Sequence, residues 1–394
     1  MSEEKLVPKL RFSGFNDIWK KVNLGEISKI GKGFTPSTSN PSFWDGELYW
    51  LSIADMNQGK YIKQTSKKIS LEGSKNKDPI EKGTLLMSFK LSLGKLGILT
   101  KDMYTNEAIC NFKWKNNNIS TEYMYYYLSS INIMKYGSQA AKGITLNNET
   151  LNTIPVILPN FDEQNKISNF LSKIDKKIEL LEKKHQAYED FKKYLMQQIF
   201  TQKLRFDFTY EWDKYLLGDI SIISKGFTPS TSNPDYWDGN LKWLSIADMN
   251  QGKYINQTTK KITYEGSKNK EPIKKGTLLM SFKLSIGKLG ILNEDMYTNE
   301  AICNFQWKNK KIMTEYMYYY LSSINILKYG SQAAKGITLN NETLSAIPVL
   351  LPSIEEQNKI IDILSNLDLK INMLENNINI TSKFKKGLLQ QMFV

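Results

Sequence analysis

The feature that most constrains this chain is a long internal duplication. The stretch KGFTPSTSNP at residues 32–41 returns letter for letter at residues 225–234, an offset of 193 residues. Residues 33–175 align with residues 226–368 without a gap, and 29 of these 143 positions differ. Solenoid repeats are much shorter, at about 20–50 residues. The sequence therefore predicts two copies of one module, each long enough for a domain and an additional element.

The first part of each copy has the pattern of a small α+β domain. Short apolar runs alternate with turn signals such as SNP, WDG and SLGKLG, which predicts short strands. The segment TEYMYYYLSSINIMKYG, from Thr121 to Gly137, is typical of a helix that ends at a glycine. Its tyrosines at positions 123, 125, 126 and 127 favour packing in the core, and stacking on nucleic-acid bases is the alternative.

The second part of each copy has the heptad pattern of a long helix. Helix starts are predicted at Asn160 and Ser353, where a glutamate three residues later gives the spacing of a capping box. Helices that run to Phe200 and Phe393 would each be about 60 Å long. Steps of three and four define an apolar seam, and we expect the two seams to pack together as an antiparallel coiled coil. The seam residues are Leu171, Ile174, Ile178, Leu181, His185, Tyr188 and Leu195, with Leu364, Leu367, Ile371, Leu374, Ile378, Thr381 and Leu388 in the second copy.

Composition and charge narrow the class of protein. With 41% hydrophobic and 24% charged residues, the chain can form real cores, and no apolar run is long enough to cross a bilayer. We therefore expect a soluble cytoplasmic protein without a membrane partner. The net charge of +13 favours a polyanionic partner, although charge also aids solubility.

Nearly all of the positive charge comes from lysine. Arginine occurs only at Arg11 and Arg205. Lysine neutralises phosphates as a point charge but lacks the planar fork that most often reads guanine. Any reading of bases within the duplicated domains must therefore depend on lysine, amide and hydroxyl side chains.

Catalytic signatures are missing from the sequence. GSQAAKG resembles a phosphate-binding loop, but no GK[ST] follows, and NPSFW lacks the second proline of an adenine methyltransferase signature. The sole histidine, His185, cannot form a multi-histidine metal site and is interpreted as a polar seam residue. Cys110 and Cys303 are one position seen twice and favour buried free thiols over a disulfide or metal ligands. We expect a reader without catalytic residues or a bound metal.

Together these motifs resemble the specificity subunits of bacterial type I restriction-modification systems. The resemblance rests on KGFTPSTSNP, the WDG turn, WLSIADMNQGKYI, GITLNNETL leading to IPVILPNFDEQNKI, and the helix ending KKYLMQQIFTQKLRF. It covers nearly the whole chain twice. In one respect the chain departs from the family, whose two recognition domains usually differ strongly, whereas here they nearly coincide.

The resemblance implies a division of the chain and a set of partners. Residues 1–158 would form the first target-recognition domain, 159–203 the central helical spacer, 204–351 the second recognition domain and 352–394 the C-terminal helical spacer. The chain would bind double-stranded DNA and no cofactor of its own. Two methyltransferase subunits would supply adenine methylation with S-adenosylmethionine, and restriction subunits would supply cleavage driven by ATP with Mg²⁺.

Two polar loops, present in both copies, are the candidate DNA contacts. They offer cations, hydroxyls and amides on segments bounded by proline or glycine, which suits phosphate and base-edge contacts. The alternative for the first loop is a turn held by its own Ser and Thr hydrogen bonds. In the first copy the candidates are Lys32, Thr35, Ser37, Thr38, Ser39, Asn40, Gln139, Lys142, Thr145, Asn147 and Asn148. In the second copy they are Lys225, Thr228, Ser230, Thr231, Ser232, Asn233, Gln332, Lys335, Thr338, Asn340 and Asn341.

The duplication also predicts the form of the target. Two identical domains related by a two-fold axis read the same word on opposite strands, so we expect an interrupted palindrome. Amides such as Asn147 and Asn340 favour adenine, although lysine can read guanine.

Two other classes of protein remain open, a stand-alone DNA-binding regulator or decoy and a catalytic fusion whose motifs are not recognised. Copurification with a methyltransferase separates a specificity subunit from both.

Overall fold

The chain forms two compact units. The computed structural model describes residues 6–90, 92–140, 143–206, 210–283, 285–333 and 336–393. Unit 1 consists of Met1–Glu182 with Asn376–Val394, and unit 2 consists of Lys183–Glu375. Each unit therefore contains one α+β domain, the start of one long helix and the end of the other.

The domain of unit 1 combines small sheets with short helices. Its strands in the described residues are β1 (Lys20–Asn23), β2 (Ser28–Lys32), β3 (Trp44–Leu51), β4 (Tyr61–Ile62), β5 (Lys67–Ile69), β6 (Leu85–Ser88), β7 (Leu96–Leu99), β8 (Tyr104–Thr105), β9 (Ile109–Trp114), β10 (Ser138–Ala140), β11 (Gly143–Thr145) and β12 (Pro155–Leu158). Its short helices are α1 (Leu24–Ile27), α2 (Thr121–Ser130) and α3 (Asn148–Asn152). One sheet has the order β2-β9-β6-β7-β4 and another β5-β3-β8, while β1 pairs with β12 and β10 with β11.

The domain of unit 2 repeats this topology. The first long helix, α4 (Phe161–Phe200), precedes it. Its strands are β13 (Asp213–Leu216), β14 (Ser221–Lys225), β15 (Trp237–Leu244), β16 (Tyr254–Ile255), β17 (Lys260–Ile262), β18 (Leu278–Ser281), β19 (Leu289–Leu292), β20 (Tyr297–Thr298), β21 (Ile302–Trp307), β22 (Ser331–Ala333), β23 (Gly336–Thr338) and β24 (Pro348–Leu351). Its helices are α5 (Leu217–Ile220), α6 (Thr314–Ser323), α7 (Asn341–Ser345) and the second long helix, α8 (Ile354–Met392). The sheet orders β14-β21-β18-β19-β16 and β17-β15-β20 match those of unit 1.

The tyrosines of α2 pack into the core of unit 1. Tyr123 and Tyr126 are fully buried. The Tyr123 hydroxyl donates to the carbonyl of Ile157 over 2.8 Å, and the Tyr126 hydroxyl donates to Asp175 over 2.6 Å. Unit 2 repeats both contacts through Tyr316 and Tyr319. The packing interpretation is confirmed, because buried and hydrogen-bonded rings are not available to stack on bases.

Both long helices begin where the sequence predicts, but only half of each capping box forms. The Asn160 side chain accepts from the backbone N–H of Glu163 over 2.9 Å, and Ser353 does the same for Glu356 over 3.3 Å. The Glu163 carboxylate does not complete the box and forms hydrogen bonds with the domain instead. It accepts from Arg11 Nε and Nη2, each over 2.7 Å, and from the Trp19 indole over 3.2 Å.

This buried ion pair recurs in unit 2. Glu356 accepts from Arg205 Nε and Nη2, each over 3.0 Å, and from the Trp212 indole over 3.0 Å. The Glu163 side chain is fully buried, so its charge is stable only because a cation and an N–H donor face it. The only two arginines of the chain therefore hold the two helix starts against the domains.

The heptad seam is confirmed. All fourteen predicted seam positions are buried or half-buried, whereas most residues between them are exposed. In unit 1, Leu171 and Ile174 of α4 share a core with Leu388 and Met392 of α8. In unit 2, Leu364 of α8 shares a core with the end of α4. Within each unit, therefore, the start of one helix packs against the end of the other.

The segment before β1 in unit 1 and the segment after α4 in unit 2 make equivalent contacts with the ends of the long helices. Residues 9–12 and 203–206 share the letters KLRF. The backbone N–H of Leu10 donates to the carbonyl of Gln391 over 2.9 Å, and that of Leu204 donates to Gln198 over 3.0 Å. Gln391 is the counterpart of Gln198 in the duplication. The segment after α4 and the segment at the chain start thus cap the ends of the two long helices alike.

The two cysteines are free and buried, as the sequence predicts. Burial raises the pKa of the Cys110 thiol and raises the pKa of the Cys303 thiol to about 12. Both groups are therefore protonated at neutral pH, and a thiol is a poor nucleophile and metal ligand. Among the described helices, none is both long and apolar enough to cross a membrane.

Candidate nucleic-acid interface

The first polar loop is anchored to its domain by backbone and indole contacts. It follows β2, and the Phe34 N–H donates to the carbonyl of Thr105 over 2.7 Å. A Cβ atom at Gly33 would lie 2.0 Å from the same carbonyl oxygen, so the close approach requires glycine. The Trp44 indole donates to the carbonyl of Ser37 over 3.1 Å, and the Trp50 indole donates to that of Phe34 over 2.9 Å. Unit 2 repeats both indole contacts.

The hydrogen bonds of this loop divide its side chains into two groups. Thr35 Oγ1 donates to the Glu107 carboxylate and accepts from Asn106 over 2.8 Å. Asn40 Oδ1 accepts from the Ser42 N–H over 3.1 Å and begins the turn Pro41–Phe43. Thr228 and Asn233 do the same in unit 2. For these residues the structure supports the turn-stabilising alternative.

The other candidates of the first loop remain accessible. Lys32, Ser37, Thr38 and Ser39 are exposed, and the Ser37 and Ser39 hydroxyls lie 2.8 Å apart. Lys225, Ser230, Thr231 and Ser232 are exposed in unit 2, with the same hydroxyl pair at 2.8 Å. A lysine and three hydroxyls on a braced loop can contact phosphates and base edges.

Further lysines lie beside the loop, and sequence reasoning missed them. Lys77 Nζ is 4.4 Å from the centre of the Phe34 ring, and Lys67 Nζ is 5.3 Å from that of Trp44. Unit 2 has the same pairs in Lys270 with Phe227 and Lys260 with Trp237. The letters KK and KNK are identical in both copies, but no local pattern places them near the loop. These lysines add positive charge beside the loop.

The second polar loop is only partly described. β10 and β11 form a hairpin in which Gln139 pairs with Ile144. The side chains of Gln139, Thr145, Gln332 and Thr338, and the whole of Lys142 and Lys335, lie outside the described residues. Their assignment as DNA contacts stays a prediction.

The asparagines that end this loop serve as helix caps. Asn147 Oδ1 accepts from the Thr150 N–H over 2.8 Å, and Asn340 Oδ1 accepts from that of Thr343 over 2.8 Å. Asn148 is exposed beside this cap. In unit 2, Asn341 Nδ2 donates to the carbonyl of Ile223 over 3.3 Å, two residues before Lys225. This contact brings the end of the second loop next to the strand that leads into the first.

A partly buried polar network connects each domain to the helices of its own unit. Lys60 Nζ donates to Ser172 over 2.7 Å and to Tyr126 over 3.1 Å, and Asp175 accepts from Tyr126 and lies 2.5 Å from Lys385 Nζ. Burial lowers the pKa of Lys60, and the nearby carboxylates oppose this shift. The residues Lys253, Ser365, Tyr319, Asp368 and Lys192 repeat the network in unit 2. It holds the domain, and with it the loops, in a set position on the helices.

The fold and the two repeated loop surfaces define a class of protein. Two copies of one α+β domain, each braced on long helices and each presenting the same cationic, hydroxyl-rich loop, form a tandem recognition protein.

The family model for the type I restriction modification DNA specificity domain matches the chain twice, at residues 16–189 and 210–381. The chain belongs to this family, which confirms the resemblance found in the sequence. It is 30% identical to the type I restriction enzyme MjaIX specificity subunit of Methanocaldococcus jannaschii, over 47% of this chain and 44% of that protein. The chain thus spans less than half of that relative, but it aligns with 91% of the MjaVIII specificity subunit of the same organism, over 94% of its own length at 24% identity.

The fold also matches a solved structure of the family. The crystal structure of a type I restriction-modification S subunit from M. genitalium superposes with a TM-score of 0.61 and 16% sequence identity. The match covers 98% of this chain and 99% of that one. The predicted architecture, tandem sheet-containing domains each followed by a long helix, is confirmed.

Proposed function

We propose that this chain is the subunit of a type I restriction-modification complex that recognises a bipartite DNA site and directs adenine methylation and cleavage by its partner subunits. One observation carries the proposal: the first polar loop is identical in the two units and is braced by the same indole contacts in each. Two identical reading surfaces in one chain suit two half-sites of one target.

The chain's own residues suit binding rather than catalysis. The exposed hydroxyls and the lysines around each loop are groups that contact phosphates and base edges. S-adenosylmethionine, ATP and Mg²⁺ would be bound by the methyltransferase and restriction subunits. Within this proposal, the chain contributes the position and spacing of the two reading surfaces.

The first test is the sequence of the methylated site. Because the reading loops are identical, the bases they contact should recur on opposite strands, so the methylated motif should be an interrupted palindrome at those bases, with an adenine in each half-site. Methylome sequencing of a host that expresses the chain with its neighbouring subunits measures this directly. Two unrelated half-sites would contradict the symmetry, and the absence of any specific motif would contradict the function.

The second test concerns the loop lysines. Lys32→Ala together with Lys225→Ala should make the slope of log affinity against log salt shallower by about 2, since each lysine that leaves a phosphate reduces the slope by about 0.9. The slope is measured on the assembled complex with duplex DNA. Lys21→Ala with Lys214→Ala is the matched control, because these exposed lysines lie on β1 and β13 and belong to neither polar loop. Equal slopes for the two variants would place Lys32 and Lys225 off the DNA.

Each unit also exposes apolar side chains on its helices, which suits a protein partner. In unit 1, Leu180, Ile380 and Phe384 are 54%, 65% and 56% exposed. In unit 2, Phe191, Leu369 and Met373 are 50%, 60% and 61% exposed. Leu180 and Met373 occupy equivalent positions in the two copies, as do Phe191 and Phe384, and we take these repeated exposed side chains as a candidate docking surface. This observation favours a chain that works with partners over a stand-alone regulator, and its repetition supports two methyltransferase subunits.

A further inference from the structure

The two domains diverge at one place beside the first polar loop. Four of the differing positions lie together there: Ser42, Phe43, Ser70 and Leu71 become Asp235, Tyr236, Thr263 and Tyr264. The Ser70 N–H donates to the carbonyl of Phe43 over 3.0 Å, and its hydroxyl donates to that of Ser42 over 2.7 Å. Thr263 makes the same two bonds in unit 2, at 3.1 and 2.7 Å. The backbone is therefore retained while the side chains change.

Two of the four changed positions, Ser42 and Leu71, have exposed side chains, and Ser42 is connected to the loop. Leu71 is 75% exposed and Tyr264 is 74% exposed, so neither residue is selected for packing in a core. Ser42 Oγ donates to Asn40 Oδ1 of the loop over 2.9 Å. Leu71 is followed by a tight turn with left-handed residues at Lys75 and Asn76, and this turn is identical in both copies. Leu71, which differs between the two copies, thus lies along the chain between a polar loop and a lysine-containing turn that are identical in both copies.

Another group of differences has a different physical character. In unit 1, Lys101 Nζ lies 4.0 Å from the centre of the Tyr49 ring. In unit 2 the same positions hold Glu294 and Lys242, which form an ion pair. An ion pair in unit 2 replaces the contact between the lysine and the aromatic ring in unit 1, so this exchange maintains the local fold. The exchange of Leu71 for Tyr264 changes the chemistry of an exposed surface.

We propose that Leu71 with Ser42, and Tyr264 with Asp235, are specificity-determining pairs that read one base pair at the equivalent position of each half-site. This inference rests on the proposed function. Leu71 offers an apolar contact for a thymine methyl group, whereas Asp235 accepts a hydrogen bond from the amino group of cytosine and Tyr264 adds a hydroxyl. The target is therefore palindromic at the bases read by the identical loops and asymmetric at this one position, with thymine in the half-site of unit 1 and cytosine in that of unit 2.

The test exchanges the pairs between the domains in the full chain, assembled with its partner subunits. In unit 2, Asp235→Ser with Tyr264→Leu should shift the preference at this position from cytosine to thymine by about tenfold and make the motif fully palindromic. In unit 1, Ser42→Asp with Leu71→Tyr should give the opposite change. Methylation rates on duplexes that vary at one position measure the preference, and melting of each variant should be unchanged because the residues are exposed.

The control transfers the other pair of differences, at positions 49 and 101, from unit 2 to unit 1. Tyr49→Lys with Lys101→Glu gives unit 1 the ion pair of unit 2 and should leave every base preference unchanged. If the loop-contacted bases form a palindrome but the pair exchange moves no preference, or the control moves it equally, the inference is wrong and the proposed function stands. If the wild-type complex methylates no specific motif, the proposed function itself fails.

Discussion

Arg11→Met is expected to lower the free energy of unfolding of unit 1 by about 3–5 kcal/mol. The substitution removes both charge-assisted hydrogen bonds to Glu163 and leaves its buried carboxylate with the hydrogen bond from the Trp19 indole. Removing one partner of a buried ion pair is costly because the remaining charge cannot reach water. Thermal or chemical unfolding of the purified chain measures the loss.

Two further variants separate charge burial from other causes. Lys9→Met removes a positive charge from an exposed residue two positions away and should leave the unfolding curve unchanged. Glu163→Gln added to Arg11→Met should recover much of the loss, because a neutral amide is less costly to bury than a carboxylate. Arg205→Met should act on unit 2 in the same way. If Arg11→Met unfolds like Lys9→Met, the buried pair does not stabilise the unit.

Phe191→Glu together with Phe384→Glu should abolish copurification of methyltransferase subunits while leaving the fold intact. Both phenylalanines are at least half exposed, so a glutamate at either position keeps its hydration in the free chain. In a complex, each glutamate would place an unpaired charge in an apolar contact. Loss of a central aromatic contact costs about 2 kcal/mol or more, which weakens assembly about thirtyfold.

The matched control introduces the same charges on the opposite helix face. Lys193 and Lys386 lie two residues along from the phenylalanines, about 200° around the helix axis, and both are exposed. Lys193→Glu with Lys386→Glu should therefore retain the methyltransferase subunits. Normal copurification of the phenylalanine variant would show that the exposed apolar residues are not the docking surface.

Local patterns in the sequence predicted the parts of the fold that depend on local spacing. The seam from Leu171 to Leu195 and the caps at Asn160 and Ser353 follow from residues a few positions apart, and the two copies follow from identical letters at an offset of 193 residues. The burial of the α2 tyrosines also followed, since aromatic residues in a helix more often pack in a core than bind a ligand.

The candidate interface was predicted less completely. Lys32 and the exposed hydroxyls of the first loop remain in place as candidates, but Thr35 and Asn40 hold the turn through hydrogen bonds to Glu107 and Ser42. Lys77 lies over Phe34 although 43 residues separate them in the chain. Side chains with several possible partners cannot be assigned from composition, because the partner depends on the path of the chain.

By itself, therefore, the sequence determined that this protein has two near-identical α+β domains, two long seamed helices and a repeated polar loop, because repetition and periodicity are properties of the linear chain. Only the tertiary structure decided the role of Glu163, which was predicted to complete a capping box and instead binds Arg11 from 152 positions away. Only the tertiary structure also decided the network around Lys60. Its other members come from α2 and from both long helices. Contacts of this kind form only after the helices pack on the domain, since packing is what brings distant charges within hydrogen-bonding distance and removes the water that would otherwise screen them.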